Sequence, residues 1–165
     1  MALTRRYSGT RQSSSRHSRG RTRQLSESRH LLLTAYSPDG SSISVVCKVV
    51  ADGDALGVLL AADSPVAVRI RHRPGLLVAP CDARGTRTGG QSPARAVLGT
   101  ADLGAQYRAA LMNKYGLTTA LALGLARLAH GLTAGTAVRL TPAGTAWPLL
   151  CPDWRPAGGY GYSPN

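Results

Sequence analysis

Phenylalanine is absent from the 165 residues, and the chain has only two tryptophans, two methionines and three cysteines. Cys47, Cys81 and Cys151 lie far apart, with no Cys-x-x-C pair and no Cys/His cluster, so the sequence gives no structural zinc site and no metal ligands. An odd, sparse cysteine count suits a reducing compartment, and a cytoplasmic location is expected. No apolar run approaches the roughly 18 residues that a membrane-crossing helix needs, so no such segment is expected. Acids are scarce as well: 8 Asp and Glu face 20 Lys and Arg, a formal charge of +12. Most body acids (Asp39, Asp52, Asp54, Asp63, Asp82, Asp102) sit in turn-like contexts, where Asp shapes backbone rather than chemistry. No carboxylate dyad, nucleophile elbow or Gly-rich dinucleotide fingerprint occurs. No catalytic residue can be assigned from the sequence. A chain without its own acid, base or nucleophile either binds without reacting or borrows its chemistry from a cofactor.

What is present is unevenly placed. Residues 1–30 hold eight arginines against the single acid Glu27, a charge of +7, and the remaining residues carry +5. Eighteen arginines to two lysines, with abundant Ala and Gly, is the usage of a GC-rich genome of the actinobacterial kind. The Ser/Arg-rich residues 1–29 lack aliphatic spacing and are expected to be a disordered basic tail. Three readings of it stand: a transit peptide, an electrostatic arm for nucleic acid, or an idle extension. Residues 146–165 are rich in Pro and Gly and read as a loose C-terminal tail. The domain proper is then 30–145.

Within that domain, residues 31–36 and the β-branched run 43–51 flank the turn Ser37-Pro38-Asp39-Gly40, a hairpin signature. Residues 55–62 add a third antiparallel strand. Asp63-Ser64-Pro65 is an N-cap followed by a proline at the first helical position. The short helix it opens carries Val66 and Ile70 on one side and Arg69 and Arg73 on another, ending at Pro74-Gly75. Strands follow at 76–82 and 96–103 around a Gly-rich basic loop. A helix over 105–115 stacks Tyr107, Leu111 and Tyr115 on one face; a second spans roughly 118–130, and a last strand covers 135–141. The order β-β-β-α-β-β-α-α-β lacks regular β-α alternation, so a doubly wound sheet is excluded. The fold class is mainly β with inserted helices, a small split or closed β-barrel.

A helix N-terminus attracts phosphate through free amides and the positive end of its dipole. Ser64 with Arg69 one turn inside therefore forms a candidate anion site, set against the plain reading of a capped surface helix. Cys81 reads as a small buried residue more than a nucleophile, and His72 and His130 lie at helix ends, where His is favoured.

The string Leu76–Gly89 (LLVAPCDARGTRTG) is preceded by Ala61-Ala62-Asp63-Ser64 and Arg69-Ile70-Arg71-His72-Arg73-Pro74, and followed by Asn113-Lys114-Tyr115-Gly116. It resembles the coenzyme F420-dependent branch of the pyridoxamine-phosphate-oxidase-like flavin and deazaflavin proteins, over residues 30–141. The resemblance implies a split β-barrel (FMN-binding split barrel-like) that pairs as a homodimer, with the cofactor in a groove between copies. It also implies an oxidoreductase passing hydride from reduced F420, or alternatively using FMN, to a small organic substrate; some relatives bind haem or biliverdin. By position it implies that Ser64 and Arg69 face the cofactor phosphate and acidic tail, and that Lys48, Pro80, Cys81 and Arg84 border the groove. One departure stands out. Many relatives carry Ser-Gly-Lys-x-Lys-Arg where this chain has Ser64-Pro65-Val66-Ala67-Val68-Arg69, with valine at both lysine positions. The alternative expectation is thus a non-catalytic split-barrel ligand-binding protein that has lost the phosphate site.

Overall fold

The computed structural model describes residues 11–37, 39–116 and 135–143. Their order is α1 (Arg11–Glu27), β1 (His30–Tyr36), β2 (Ser42–Asp52), β3 (Ala55–Leu60), α2 (Pro65–His72), β4 (Gly75–Cys81), β5 (Ser92–Leu98), α3 (Ala101–Tyr115) and β6 (Thr136–Pro142). All strand pairs are antiparallel and the sheet closes on itself in the order β1-β2-β3-β6-β5-β4. Closure leaves no unpaired sheet edge. The architecture is mainly β, as the sequence pattern implies.

Side-chain alternation decides what fills the barrel. Leu31 and Leu33 on β1, Leu56 and Val58 on β3, Leu76 and Val78 on β4, and Val138 and Leu140 on β6 are all fully buried in one cluster. Both ends are stoppered. α2 follows β3 directly and sends Val66, Ala67 and Ile70 into the same cluster from one end. From the other end, where β1, β3 and β5 begin, α1 contributes Leu25. There Arg21 donates to the Ser92 hydroxyl at 2.8 Å, and the Thr22 hydroxyl lies 3.5 Å from the Asp54 carbonyl.

α3 lies on the outside, across β2, β3 and β6, with Tyr107 and Leu111 packed on Val50 and Ala137. Gly57 on β3 is what lets it approach: a Cβ there would stand 2.6 Å from the Tyr107 ring. The Tyr107 hydroxyl donates to Asp52 Oδ2 at 2.6 Å, and Arg139 Nε reaches the same oxygen at 3.0 Å.

Two expectations are corrected. Residues 11–27 are helical, not disordered, because the helix is held from outside itself. Leu25 and Thr22 are buried against the barrel, and Lys114 takes the Ser26 carbonyl at the C-terminal end, where a helix leaves carbonyls unpaired and a cation is favoured. Strand β5 begins at Ser92, inside the expected loop, and ends at Leu98 rather than at residue 103. Thr100 then caps α3, its hydroxyl accepting from the Leu103 amide, so residues 101–103 are helix. The meander of β1 to β3, the bounds of α2 and the Tyr107–Leu111 face agree with the sequence reading. The helix expected over 118–130, the tail 146–165, residues 1–10 and Pro38 lie outside the described residues.

Candidate functional site

Strand register gathers four of the six candidate residues at one end of the barrel. Lys48 on β2 pairs with His30 on β1, and His30 pairs in turn with Cys81 on β4. Directly opposed side chains in a sheet share a face, with Cβ atoms about 5 Å apart, so Lys48, His30 and Cys81 form one row on the outside of the barrel. Pro80 precedes Cys81. The segment after it folds back: the Thr88 amide bonds to the Pro80 carbonyl at 2.8 Å and Cys81 bridges to Arg87. Asp82 organises this turn by accepting from the Arg84 and Thr86 amides at 2.9 and 2.8 Å, which hold its carboxyl below the usual value. Gly85, at a φ of +88°, then brings the backbone next to Arg84 against Val46 and Leu32 on the outer face. A Cβ there would meet Val46 at 3.1 Å.

Neither described cysteine is a reactive thiolate. Burial raises the Cys47 thiol far above its ordinary value, and its Sγ lies 3.6 Å from the Leu31 carbonyl. Cys81 is also buried, and desolvation with the neighbouring Asp82 charge raises its thiol too. Both are free and protonated at neutral pH.

Ser64 and Arg69 lie at the other end, on α2. The six residue steps of β1 between the two ends amount to about 20 Å of strand. Within one chain the six candidates therefore form two groups. At the α2 start most backbone donors are already committed. The Ser64 amide bonds to the Ala61 carbonyl, Pro65 has no N–H, Ala67 donates to Ser64 Oγ at 3.1 Å, and Val68 donates to the Ser64 carbonyl. An anion would meet the Val66 amide and the Ser64 hydroxyl proton. Val66 is in the core, whereas Val68 is 42% exposed. Arg69 Nη1 is shut off from solvent and has no hydrogen-bond partner among the described residues. A buried cationic donor of this kind is costly until an acceptor reaches it.

Two small cavities lie among the described residues. One of about 90 Å³ is bounded by Arg21, Leu25, Pro80 and Ser92 between α1 and the barrel; another of about 190 Å³ lies between Thr100, Arg108 and Thr136 at the start of α3. Both fall below the roughly 300 Å³ at which ligand pockets begin. Only Pro80 of the candidate residues touches either.

The fold has counterparts among solved structures. HutZ, the heme storage protein from Vibrio cholerae, superposes with a TM-score of 0.55 at 18% identity over 75% of this chain and 87% of its own. A Listeria innocua protein provisionally named a pyridoxamine 5′-phosphate oxidase gives 0.52 at 13% identity over 76% and 93%. General stress protein 26 from Bacillus anthracis gives 0.50 at 12% identity over 76% and 89%. The fold is that of the pyridoxamine 5′-phosphate oxidase-like split barrels. No protein-family model matches the sequence, and no curated protein matches it. No helix among the described residues is long and apolar enough to cross a membrane, and none of their acidic, His and Cys side chains cluster as a metal site.

The sequence reading passed over His30, which completes the row between Lys48 and Cys81; only the strand register places it there. It placed Tyr115 on the α3 face and used Lys114 only as part of the string that carries the resemblance, without seeing what either holds. The Lys114 ammonium donates to the Ser26, Ser28 and Val49 carbonyls, and the Tyr115 hydroxyl lies 2.8 Å from the Arg29 carbonyl. Both anchor the end of α3 to the α1–β1 corner.

Proposed function

We propose that the protein is a homodimeric split-barrel oxidoreductase of the cytoplasm that binds coenzyme F420, with FMN as the alternative cofactor, and acts on a small organic molecule. The observation that carries the reading is Arg69 Nη1, a buried cationic donor with no hydrogen-bond partner among the described residues. It sits on the helix where the sequence resemblance puts the cofactor phosphate, so the residues present fit an anionic group there. Ser64 and Arg69 would hold the phosphate and acidic tail. Lys48, Pro80, Cys81 and Arg84 would border the ring. When bound, the reduced deazaflavin supplies the hydride. The chain's own part is to bind, orient and shield, since the described thiols are protonated.

Two groups about 20 Å apart along β1 are reconciled by a second copy. In a two-fold dimer the same patch meets itself, and with the axis perpendicular to the β1 strands the α2 end of one barrel lies beside the Lys48 end of the other. The outer faces of β1 and β4, which carry no helix among the described residues, are available for that contact. Titration of the purified protein with F420 and with FMN, followed by fluorescence, tests the reading. Micromolar binding of either supports it, and no binding at tens of micromolar overturns it.

A second reading is favoured by the α2 start, where Val66 and Val68 replace lysines and most amides are committed. On this reading the chain is a non-catalytic split-barrel protein whose phosphate site is lost.

A further inference from the structure

Lysine is rare in this chain: its two examples, Lys48 and Lys114, both place their ammonium groups over the ring of Tyr115, at 5.0 and 4.9 Å from its centroid. The strand register puts Lys48 at the end of the outer row, beside His30. Tyr115 follows Lys114 at the last turn of α3. An ammonium has three protons to donate and no lone pair, and Lys114 points its protons at the Ser28 carbonyl (3.2 Å), the Val49 carbonyl (2.9 Å) and the Ser26 carbonyl. The Tyr115 hydroxyl has one proton and stands 2.8 Å from the Arg29 carbonyl and 3.0 Å from that of Val49, while the Val49 amide approaches it at 3.4 Å. Each of these anchors is a backbone group. The ring is thereby fixed against the α1–β1 corner and the end of β2, one residue from Lys48 itself.

We propose that Tyr115, held by Lys114, is a positioning residue that sets the Lys48 ammonium at the ligand-bearing row by a cation–π contact. A lysine stem with four rotatable bonds otherwise loses entropy each time it meets a ligand; the ring face removes part of that cost in advance, because the electron-rich face attracts the ammonium. The inference rests on the cofactor-binding reading above for its ligand, but the Lys48–Tyr115 contact can be measured without one.

The experiment has two readouts on the full-length protein. The first is the Kd for F420, or for FMN, in the wild type, Tyr115→Phe, Tyr115→Leu, Lys48→Met and the Tyr115→Leu/Lys48→Met double variant. Phe keeps the ring and is expected to bind within about twofold of wild type, whereas Leu weakens binding roughly threefold to thirtyfold, the range set by one cation–π contact. The double variant is expected to match Lys48→Met alone, since the ring then has no ammonium to place. An equal loss from Tyr115→Leu with and without Lys48 overturns the proposal, because a merely structural tyrosine would act in both backgrounds. The second readout is NMR of the ¹³C-labelled lysine side chains, two signals in all, assigned with Lys48→Met. The Lys48 Cε protons are expected upfield of their denatured position in wild type and Tyr115→Phe, and near it in Tyr115→Leu. A Lys48 signal at its denatured position in the wild type overturns the proposal even where Tyr115→Leu fails to fold. Wild-type protein that binds neither cofactor defeats the functional reading alone, and the NMR readout still decides the contact.

Discussion

The Tyr107 hydroxyl and the Asp52 carboxylate meet at 2.6 Å across the outer face of the barrel, with Arg139 on the same oxygen at 3.0 Å. Desolvation first, and then the bond to Asp52, raise the Tyr107 phenol well above its ordinary value of 10.0. Tyr107→Phe keeps the packing and removes the bond. A hydrogen bond to a charged group contributes about 1.5–3 kcal/mol, and Asp52 is partly exposed, so a loss of about 1–2 kcal/mol is expected. Thermal denaturation should show the midpoint falling by roughly 3–8 °C.

The same ring fixes what Gly57 must be. Gly57→Ala places a methyl 2.6 Å from the Tyr107 ring carbon, and overpacking of this kind costs about 1–3 kcal/mol. The loss should shrink in a Tyr107→Leu background. A double-mutant cycle by urea denaturation measures that coupling, and equal losses in both backgrounds would show that something other than the ring is displaced.

Stability should fall at both extremes of pH for identifiable reasons. Asp39 is held below its ordinary 3.8 chiefly by the Ser41 amide, and Asp82 chiefly by the Thr86 amide. A depressed carboxyl contributes stability above its unfolded value, lost as pH drops below about 4. Asp82→Ala should therefore flatten the acid limb of a stability profile between pH 5 and 2. Tyr107 is shifted the other way. Its contribution is complete below pH 10.0, its unfolded value, and declines above it, so Tyr107→Phe should start from a lower plateau and flatten the alkaline limb of the profile.

Lysine at position 68 and lysine at position 66 should behave oppositely. Val66 is fully buried and Val68 is 42% exposed. Val66→Lys strands a charge in the core and should unfold the protein. Val68→Lys should fold normally and bind F420 or FMN roughly tenfold to a hundredfold more tightly than wild type, by the strength of a charged hydrogen bond. Binding acquired only by the variant would favour the reading in which the natural site is lost.

Removing residues 1–29 should destabilise the barrel. The deletion takes away Leu25 from the core and the Arg21–Ser92 bond; truncation of one buried leucine alone costs about 2–5 kcal/mol. An unchanged melting temperature would mean that α1 is not docked in solution. Salt-dependent DNA binding by the full chain, absent from the truncated one, would support the nucleic-acid reading of this segment.

Local chemistry made much of the fold legible. Ser64 and Pro65 carry their own instructions for starting a helix, and the run from Ile43 to Ala51 declares a strand by β-branching alone. Where the sequence misled, distant contacts decide. α1 has a weakly apolar composition and is helical because Leu25, Arg21 and the Ser26 carbonyl each find a partner far along the chain. β5 starts at Ser92-Pro93 because Pro93 pairs opposite Leu77 and its carbonyl accepts from Ala143, which no local rule foresees. The candidate residues could be named one by one from the sequence, but their division into two ends and the presence of His30 between Lys48 and Cys81 belong to strand register, a long-range property.

Among the described residues the barrel interior is filled with leucine and valine and stoppered by α1 and α2. On the dimeric reading proposed above, a site assembled from the α2 end of one copy and the Lys48 end of another exists only while two copies remain together. Ligand uptake should then rise with the square of protein concentration in dilute solution, approaching linearity once pairing is complete. On that reading, dilution acts as an off-switch that involves no change of shape in either barrel.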